Sequence, residues 1–96
     1  ALKDIPTLDS SGLKGFNVTV WHGLYAPKGT PAAVLTKLNN ALKQAVKDPE
    51  FVRKQEGLGA VVVADNRVEP AEHKKFVAKE IETWGKVIKA AGQFAD

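Results

Sequence analysis

The order of local signals along these 96 residues predicts an α/β fold, in the order turn–strand–loop–helix–helix–strand–helix. Two observations predict this class. Three segments repeat apolar residues at the helical period, and two shorter segments have the composition of strands. Two or three strands make a poor sheet alone, and the apolar helix faces need more partner surface than 96 residues supply. We therefore expect the chain to be a fragment of a larger protein, and the absence of Met favours the same interpretation.

The first 27 residues predict a turn followed by a strand. Thr7 suits the cap of one short helical turn, and Gly12 suits its left-handed end. Residues 16–21 alternate apolar and polar types up to Trp21, which is typical of a strand with two different faces. A Pro-containing loop then leads into the first helix.

The helices are predicted near residues 31–47, 49–56 and 70–91. Thr30 and Asp48 are each followed by Pro, so each suits the cap position of the helix that begins after it. Gly92 suits the end of the last helix. Gly85 lies inside that helix, where Gly is unfavourable, so we expect close packing against a neighbour at this position.

The second strand is predicted near residues 60–64, a β-branched run without polar alternation. Such a run is typical of a strand that is covered on both faces. Residues 65–67 have the composition of a turn. The predicted core consists of the following residues: Val34, Leu38, Leu42, Val62, Ile81, Trp84 and Ile88.

The residue types present argue against an enzyme, a metal site and a cofactor site. Without Cys, neither a disulfide nor a thiolate zinc site can form. His22 and His73 are the two histidines, and they lack the spacing of a metal motif. No nucleophile–base pair or Gly-rich phosphate loop is recognisable.

The net charge of +3 leaves a second class of function open. The chain could be an autonomous basic helical interaction module that binds an acidic protein or nucleic acid through its Lys faces. Lys and Glu alternate along the helices, however, and the two Arg residues do not form the stripe that nucleic acid requires. We therefore predict no nucleic-acid partner. Binding that weakens steeply with salt would indicate the alternative.

The candidate site consists of four neighbouring residues: Trp21, His22, Gly23 and Tyr25. Small-molecule sites are largely apolar and aromatic, with a few polar groups that include backbone N–H. These residues could line such a site. They could equally form an aromatic strand packed in a core, with Gly23 as a bulge.

Four segments carry a resemblance to a known family, beginning with residues 21–31, which read W-H-G-L-Y-A-P-K-G-T-P. This stretch resembles W-x-G-L-x-A-P-x-G-T-P of the Bug-type receptors of tripartite tricarboxylate transporters. Residues 4–16 resemble the family's D-V-P-T-L-x-E-x-G-x-x-G-F, although Ser10, followed by Ser11, stands where an acidic residue is usual. Residues 38–51 resemble L-N-x-A-L-x-x-A-L-x-D-P-x-x, and residues 80–92 resemble E-x-x-x-W-x-x-V-I-x-x-A-G.

The resemblance implies a two-domain periplasmic receptor that closes on a small carboxylate and delivers it to a membrane permease. Residues 1–27 would be the crossover or hinge segment with its strand. Residues 28–96 would complete the first domain as helix–helix–strand–helix. The family's main carboxylate-gripping loops have no counterpart here, so we expect the isolated chain to bind the ligand poorly. We also expect it to self-associate as a homodimer or larger assembly, because its apolar faces would be uncovered.

Overall fold

The computed structural model describes residues 2–92 and contains three α-helices, with no β-strand in that range. The helices are α1 (Ala32–Ala45), α2 (Pro49–Gly57) and α3 (Pro70–Ala91), and a 3₁₀ helix, η1 (Asn66–Val68), precedes α3. The chain separates into two compact units, one within the first thirty residues and one from Pro31 onwards. The predicted α/β class is therefore wrong.

The strand predicted at residues 16–21 is absent, and these residues lie outside any helix or strand. Val20 is 88% exposed, whereas Trp21 on the opposite predicted face is half-buried. A strand is stabilised by hydrogen bonds to a neighbouring strand, and the alternating pattern supplies an apolar face but no such neighbour. The pattern therefore predicted a strand that has nothing to pair with in the described part of the chain.

The strand predicted at residues 60–64 is absent for the same reason. Val61 is 89% exposed, while Val62 and Val63 are half-buried. The run is not covered on both faces, as a buried strand would be. It connects α2 to η1 without regular backbone pairing.

The three predicted helices are confirmed, with small changes at their ends. The Asp48 carboxylate accepts the N–H of Phe51 at 2.9 Å and Pro49 occupies the first turn, so this cap is as predicted. The cap predicted at Thr30 is wrong. Its hydroxyl donates to the carbonyl of Pro27 at 2.7 Å, and Pro31 takes the cap position without a side-chain hydrogen bond. Gly92 ends α3 with a φ of 89°, as predicted.

The 3₁₀ helix η1 is the element that contacts both α1 and α3. An ion pair between Lys43 on α1 and Glu69, which precedes α3, adds a polar contact at the same junction. Val46, directly after α1, is 7% exposed and is the one buried hydrophobic residue among residues 2–92. The contacts between elements of this unit are therefore centred on η1.

The predicted core is largely wrong, because this small unit covers only part of each apolar helix face. Val34, Leu38, Ile81 and Ile88 are between 44% and 68% exposed. The remaining three residues are half-buried: Leu42, Val62 and Trp84. A Cβ atom added at Gly85 would meet nothing within 4 Å, so the close packing expected there is also absent. In residues 2–92, no helix combines the length and apolar character needed to cross a membrane.

Candidate functional site

The four predicted site residues follow one another in the irregular segment before α1, within the first compact unit. The Trp21 side chain is half-buried, whereas His22 and Gly23 are exposed and Tyr25 is 63% exposed. Sequence proximity keeps the four together, but they line neither of two open depressions in the described part of this unit. Their role in ligand binding stays a prediction.

The larger depression has a volume of about 560 Å³ and is formed by residues that precede the predicted site in the sequence. It is lined by the following residues: Thr7, Asp9, Gly15, Phe16 and Asn17. The Asp9 carboxylate accepts the N–H of Gly15 at 2.6 Å, and Gly15 adopts a φ of 78°, which suits a residue without a Cβ. Since the lining includes a carboxylate and no Lys or Arg, its charge does not favour a carboxylate ligand.

The sequence interpretation assigned Thr7 and Gly12 to this turn but missed the bond between Asp9 and Gly15. The Thr7 hydroxyl oxygen accepts the N–H of Ser10 at 3.1 Å, and Gly12 has a φ of 119°, so the predicted turn is confirmed. The hydrogen bond between Asp9 and Gly15 joins residues six positions apart, which is not a spacing that a known turn motif repeats. The only sequence signal for this bond was therefore the Gly-rich composition of residues 12–15.

Most of the ion pairs in the described residues join neighbours on the same helix. Lys54 contacts Glu50 at 2.9 Å, Lys75 contacts Glu72 at 3.0 Å, and Lys86 contacts Glu82 at 2.7 Å. These pairs are exposed, and each is the three- or four-residue spacing that brings charges together on a helix. The Lys faces are thus partly neutralised by carboxylates, which does not favour the basic-module alternative.

Asp65 and Arg67 form the most extensive charged contact. The Arg67 Nε donates to Asp65 Oδ1 at 2.9 Å and Nη2 donates to Oδ2 at 2.7 Å. These side-chain hydrogen bonds, together with the one from the Arg67 backbone N–H, lower the pKa of Asp65 from 3.8 to about 2. Because Asp65 also caps η1, the pair organises the turn rather than a reactive centre.

The described residues contain no group of three or more His, Asp or Glu side chains that could hold a metal ion. His73 is half-buried on α3, and its ring stacks on that of Phe76 with centroids 6.2 Å apart. This aromatic contact gives His73 a packing role in the second unit.

Comparison with known proteins decides the family. The family model described as "Tripartite tricarboxylate transporter family receptor" matches residues 1–93. The chain belongs to this receptor family. The resemblance inferred from the four motifs is thus confirmed, and the family is one of transport receptors.

Named relatives agree with this assignment. The UPF0065 protein in the TAR-I ttuE-ttuC' intergenic region of Agrobacterium vitis is 45% identical over 92 residues, which are 96% of this chain and 27% of the relative. A UPF0065 protein in the tcbD-tcbE intergenic region of Pseudomonas sp. strain P51 is 34% identical over 91% of this chain and 25% of its own length. Protein BugT of Bordetella pertussis is 28% identical over 92% of this chain and 26% of its own length.

The curated relatives matched here are much longer than this chain. It spans about a quarter of the length of the curated relatives. No solved structure gives a significant match.

Proposed function

We propose that this chain is part of a periplasmic receptor that captures a small carboxylate and delivers it to a membrane permease, and that it has no catalytic activity. The observation that carries the proposal is the receptor-family match over residues 1–93. Residues 1–27 serve as the crossover between the receptor's two domains, and residues 28–96 belong to its first domain.

Within this receptor, the proposed contribution to the ligand site comes from Trp21, His22, Gly23 and Tyr25. The exposure of His22, Gly23 and Tyr25 leaves them accessible to a ligand. The backbone N–H of Gly23 and the ring N–H of His22 supply donors that a carboxylate accepts. Four neighbouring residues enclose little volume by themselves, so the isolated 96-residue chain is proposed to bind the carboxylate poorly.

The first experiment compares citrate binding by the isolated chain with binding by a full-length chimera. In the chimera, residues 1–92 of this chain replace the matched segment of the Agrobacterium vitis relative. Calorimetric titration should show citrate, or another small di- or tricarboxylate from a panel, bound by the chimera and not by the isolated chain. A folded chimera that binds none of these carboxylates would contradict the proposed ligand class.

The second experiment tests the site with the two histidines as a matched pair. In a chimera that binds a carboxylate, His22→Ala should weaken binding by about tenfold, which corresponds to the loss of roughly one charge-assisted hydrogen bond. His73→Ala should leave the affinity unchanged, because His73 packs on Phe76 in the second unit. Equal effects of the two substitutions on affinity would mean that His22 does not bind the ligand.

A further inference from the structure

Asp9 closes the turn that precedes the candidate ligand-binding residues. Its Oδ1 accepts the N–H of Gly15 at 2.6 Å, and this bond joins residues six positions apart. Inside the closed turn, the N–H of Leu13 donates to the carbonyl of Leu8 at 3.0 Å. At its end, the N–H of Phe16 donates to the carbonyl of Leu13 at 3.0 Å. The turn is therefore held by nested hydrogen bonds, and the one from Gly15 depends on the Asp9 side chain.

The backbone of Gly15 explains why this hydrogen bond matters for the course of the chain. Gly15 has a φ of 78°, a conformation that residues with a Cβ rarely adopt. A Cβ atom built at this position would meet nothing within 4 Å, so the backbone conformation and not the available space favours Gly. By accepting the N–H, Asp9 stabilises a residue with positive φ at the point where the turn ends.

The chain that leaves this turn begins in a defined place. A second depression is lined by residues from both sides of the turn: Thr7, Leu8, Phe16, Asn17 and Val18. The start of the outgoing segment thus lies beside the residues that enter the turn. Residues 17–26 include the candidate ligand-binding residues and belong to no helix or strand. Because regular backbone pairing does not set their course, the closed turn is the local feature that fixes where they begin.

Direct contact with the ligand does not explain Asp9. Two negative charges repel each other, so its carboxylate does not suit contact with the proposed carboxylate ligand. If Asp9 acted only through its charge, removing that charge would strengthen binding or leave it unchanged. If Asp9 acts through the turn, removing its hydrogen bond would weaken binding. The two roles therefore predict effects of opposite sign.

We propose that Asp9 is a positioning residue for the ligand site, which holds Gly15 and thereby keeps residues 16–25 in the conformation that binds a small carboxylate. This inference rests on the proposed function. The apparent affinity for a ligand falls in proportion to the fraction of molecules that hold the binding conformation. The hydrogen bond between Asp9 and Gly15 raises that fraction before the ligand binds.

The first measurement needs no ligand and uses the isolated 96-residue chain. Asp9→Ala should accelerate amide hydrogen exchange at Gly15, because its N–H loses the acceptor. The same substitution should lower the heteronuclear NOE of residues 17–25, which reports faster motion of the backbone. Asp9→Asn should resemble the parent, since its amide oxygen can accept the same bond. Unchanged NOE values in Asp9→Ala would overturn the inference.

The second measurement uses the full-length chimera described above and a carboxylate that it binds. Calorimetric titration should show binding by Asp9→Ala weakened about three- to tenfold, because one hydrogen bond of typical net strength shifts a conformational equilibrium by roughly that factor. Asp9→Asn should bind within about twofold of the parent, as the conservative variant that keeps the acceptor. Tighter binding by Asp9→Ala, or equal weakening by both variants, would mean that the charge and not the turn is what matters.

Asp48→Ala is the matched control in the chimera. It removes the same charge and the same kind of bond, since the Asp48 carboxylate accepts the N–H of Phe51 at 2.9 Å in the second unit. Its affinity for the carboxylate should equal that of the parent. Equal weakening by Asp9→Ala and Asp48→Ala would indicate a general loss of stability and would overturn the positioning role.

Gly15→Ala is the second variant, in case Asp9→Ala does not fold. Ala is strained at a φ of 78° although no atom obstructs it, so this substitution should also weaken binding and lower the NOE of residues 17–25. Unchanged affinity and NOE values in Gly15→Ala would contradict the role of the turn.

The two measurements separate this inference from the proposed function. If the parent chimera binds a carboxylate and Asp9→Ala binds it equally well, the proposed function stands and the positioning role fails. If the parent chimera binds none of the carboxylates, the proposed ligand class fails, and lower NOE values in Asp9→Ala would still support the ordering of residues 17–25 by Asp9.

Discussion

At the residue scale, short-range polar contacts account for most of the local order. Asp48 holds the start of α2, and Asp65 holds η1, each through a carboxylate that accepts a backbone N–H two or three residues later. Both partners of each contact lie within three residues of one another, so these contacts depend only on the local sequence.

The cap at Asp48 can be tested by substitution. Asp48→Ala should destabilise α2 by about 1 kcal/mol, because the N–H of Phe51 loses its acceptor. Asp48→Asn should retain most of the stability, since its amide oxygen can accept the same bond. Amide hydrogen exchange of residues 50–52 measures both variants. Unchanged exchange in Asp48→Ala would show that the cap does not stabilise this helix.

The contact between Asp65 and Arg67 predicts a pH dependence. The pKa of Asp65 is about 2 in the folded state and 3.8 without the contact. The folded state therefore favours the charged carboxylate. The stabilisation is fully present above pH 3.8 and is lost as the pH falls through about 2. Both side chains are exposed, so water and salt weaken the effect on stability.

The two Arg residues provide a control for this titration. Arg67→Gln should raise the pKa of Asp65 toward 3.8, whereas Arg53→Gln should leave it near 2. Carboxyl-carbon NMR titration of Asp65 reports the midpoint directly. A midpoint near 3.8 in the parent chain would contradict the assigned contact.

At the scale of elements, α3 contains a Gly, which is unfavourable for helix stability, at a position where no close packing requires it. Gly85 lies inside the helix, yet a Cβ atom there would meet nothing within 4 Å. Trp84 donates from Nε1 to Glu80 at 2.9 Å, which fixes the indole along the helix on its half-buried side. No side chain therefore fills the space beside Gly85, although the residue itself is half-buried.

Gly85→Ala should stabilise the isolated chain by up to about 1 kcal/mol, because Ala loses less backbone entropy in a helix and meets no obstacle. Ala78→Gly, the reverse change at an exposed position of the same helix, should destabilise by a similar amount. Chemical denaturation gives both values. Destabilisation by Gly85→Ala would mean that a neighbour approaches this position closely, as the sequence first suggested.

At the scale of the whole molecule, apolar surface exceeds what the described contacts cover. Val46 alone is buried among residues 2–92, while large apolar residues are exposed in both units, including Leu24 at 63% and Leu58 at 82%. Monomeric proteins rarely leave extensive apolar patches exposed to water. Association, either with a second copy or with a larger receptor, would cover this surface.

We expect the isolated chain to form a homodimer or larger assembly at micromolar concentration. Analytical ultracentrifugation should give a mass above the 10.3 kDa of one chain. Since the association is apolar, sodium sulfate should strengthen it, whereas a charge-driven assembly would weaken with salt. A monomer with no affinity for a hydrophobic dye would contradict the expectation.

The sequence alone determined the helices, several turns and the family. Helical periodicity, the Asp48 cap and the Gly92 end depend on neighbours within a few residues, so the local sequence contains the information for them. The four motifs likewise identified the receptor family, because residue order is all that such a match requires. The predicted site residues were placed together by sequence proximity, and their role in binding remains a prediction.

Only the tertiary structure decided whether the segments with strand-like composition form strands and which apolar helix faces are covered. Residues 16–21 and 60–64 have the composition of strands, but a strand exists only where a second backbone completes its hydrogen bonds. Leu38 and Ile81 have the spacing of core residues, but burial requires an element packed over them, and the two side chains are 44% and 68% exposed. The spacing of apolar residues predicts which surface of a helix or strand is apolar. Whether that surface is buried depends on the element that packs on it, and that element is distant in the sequence or belongs to another chain.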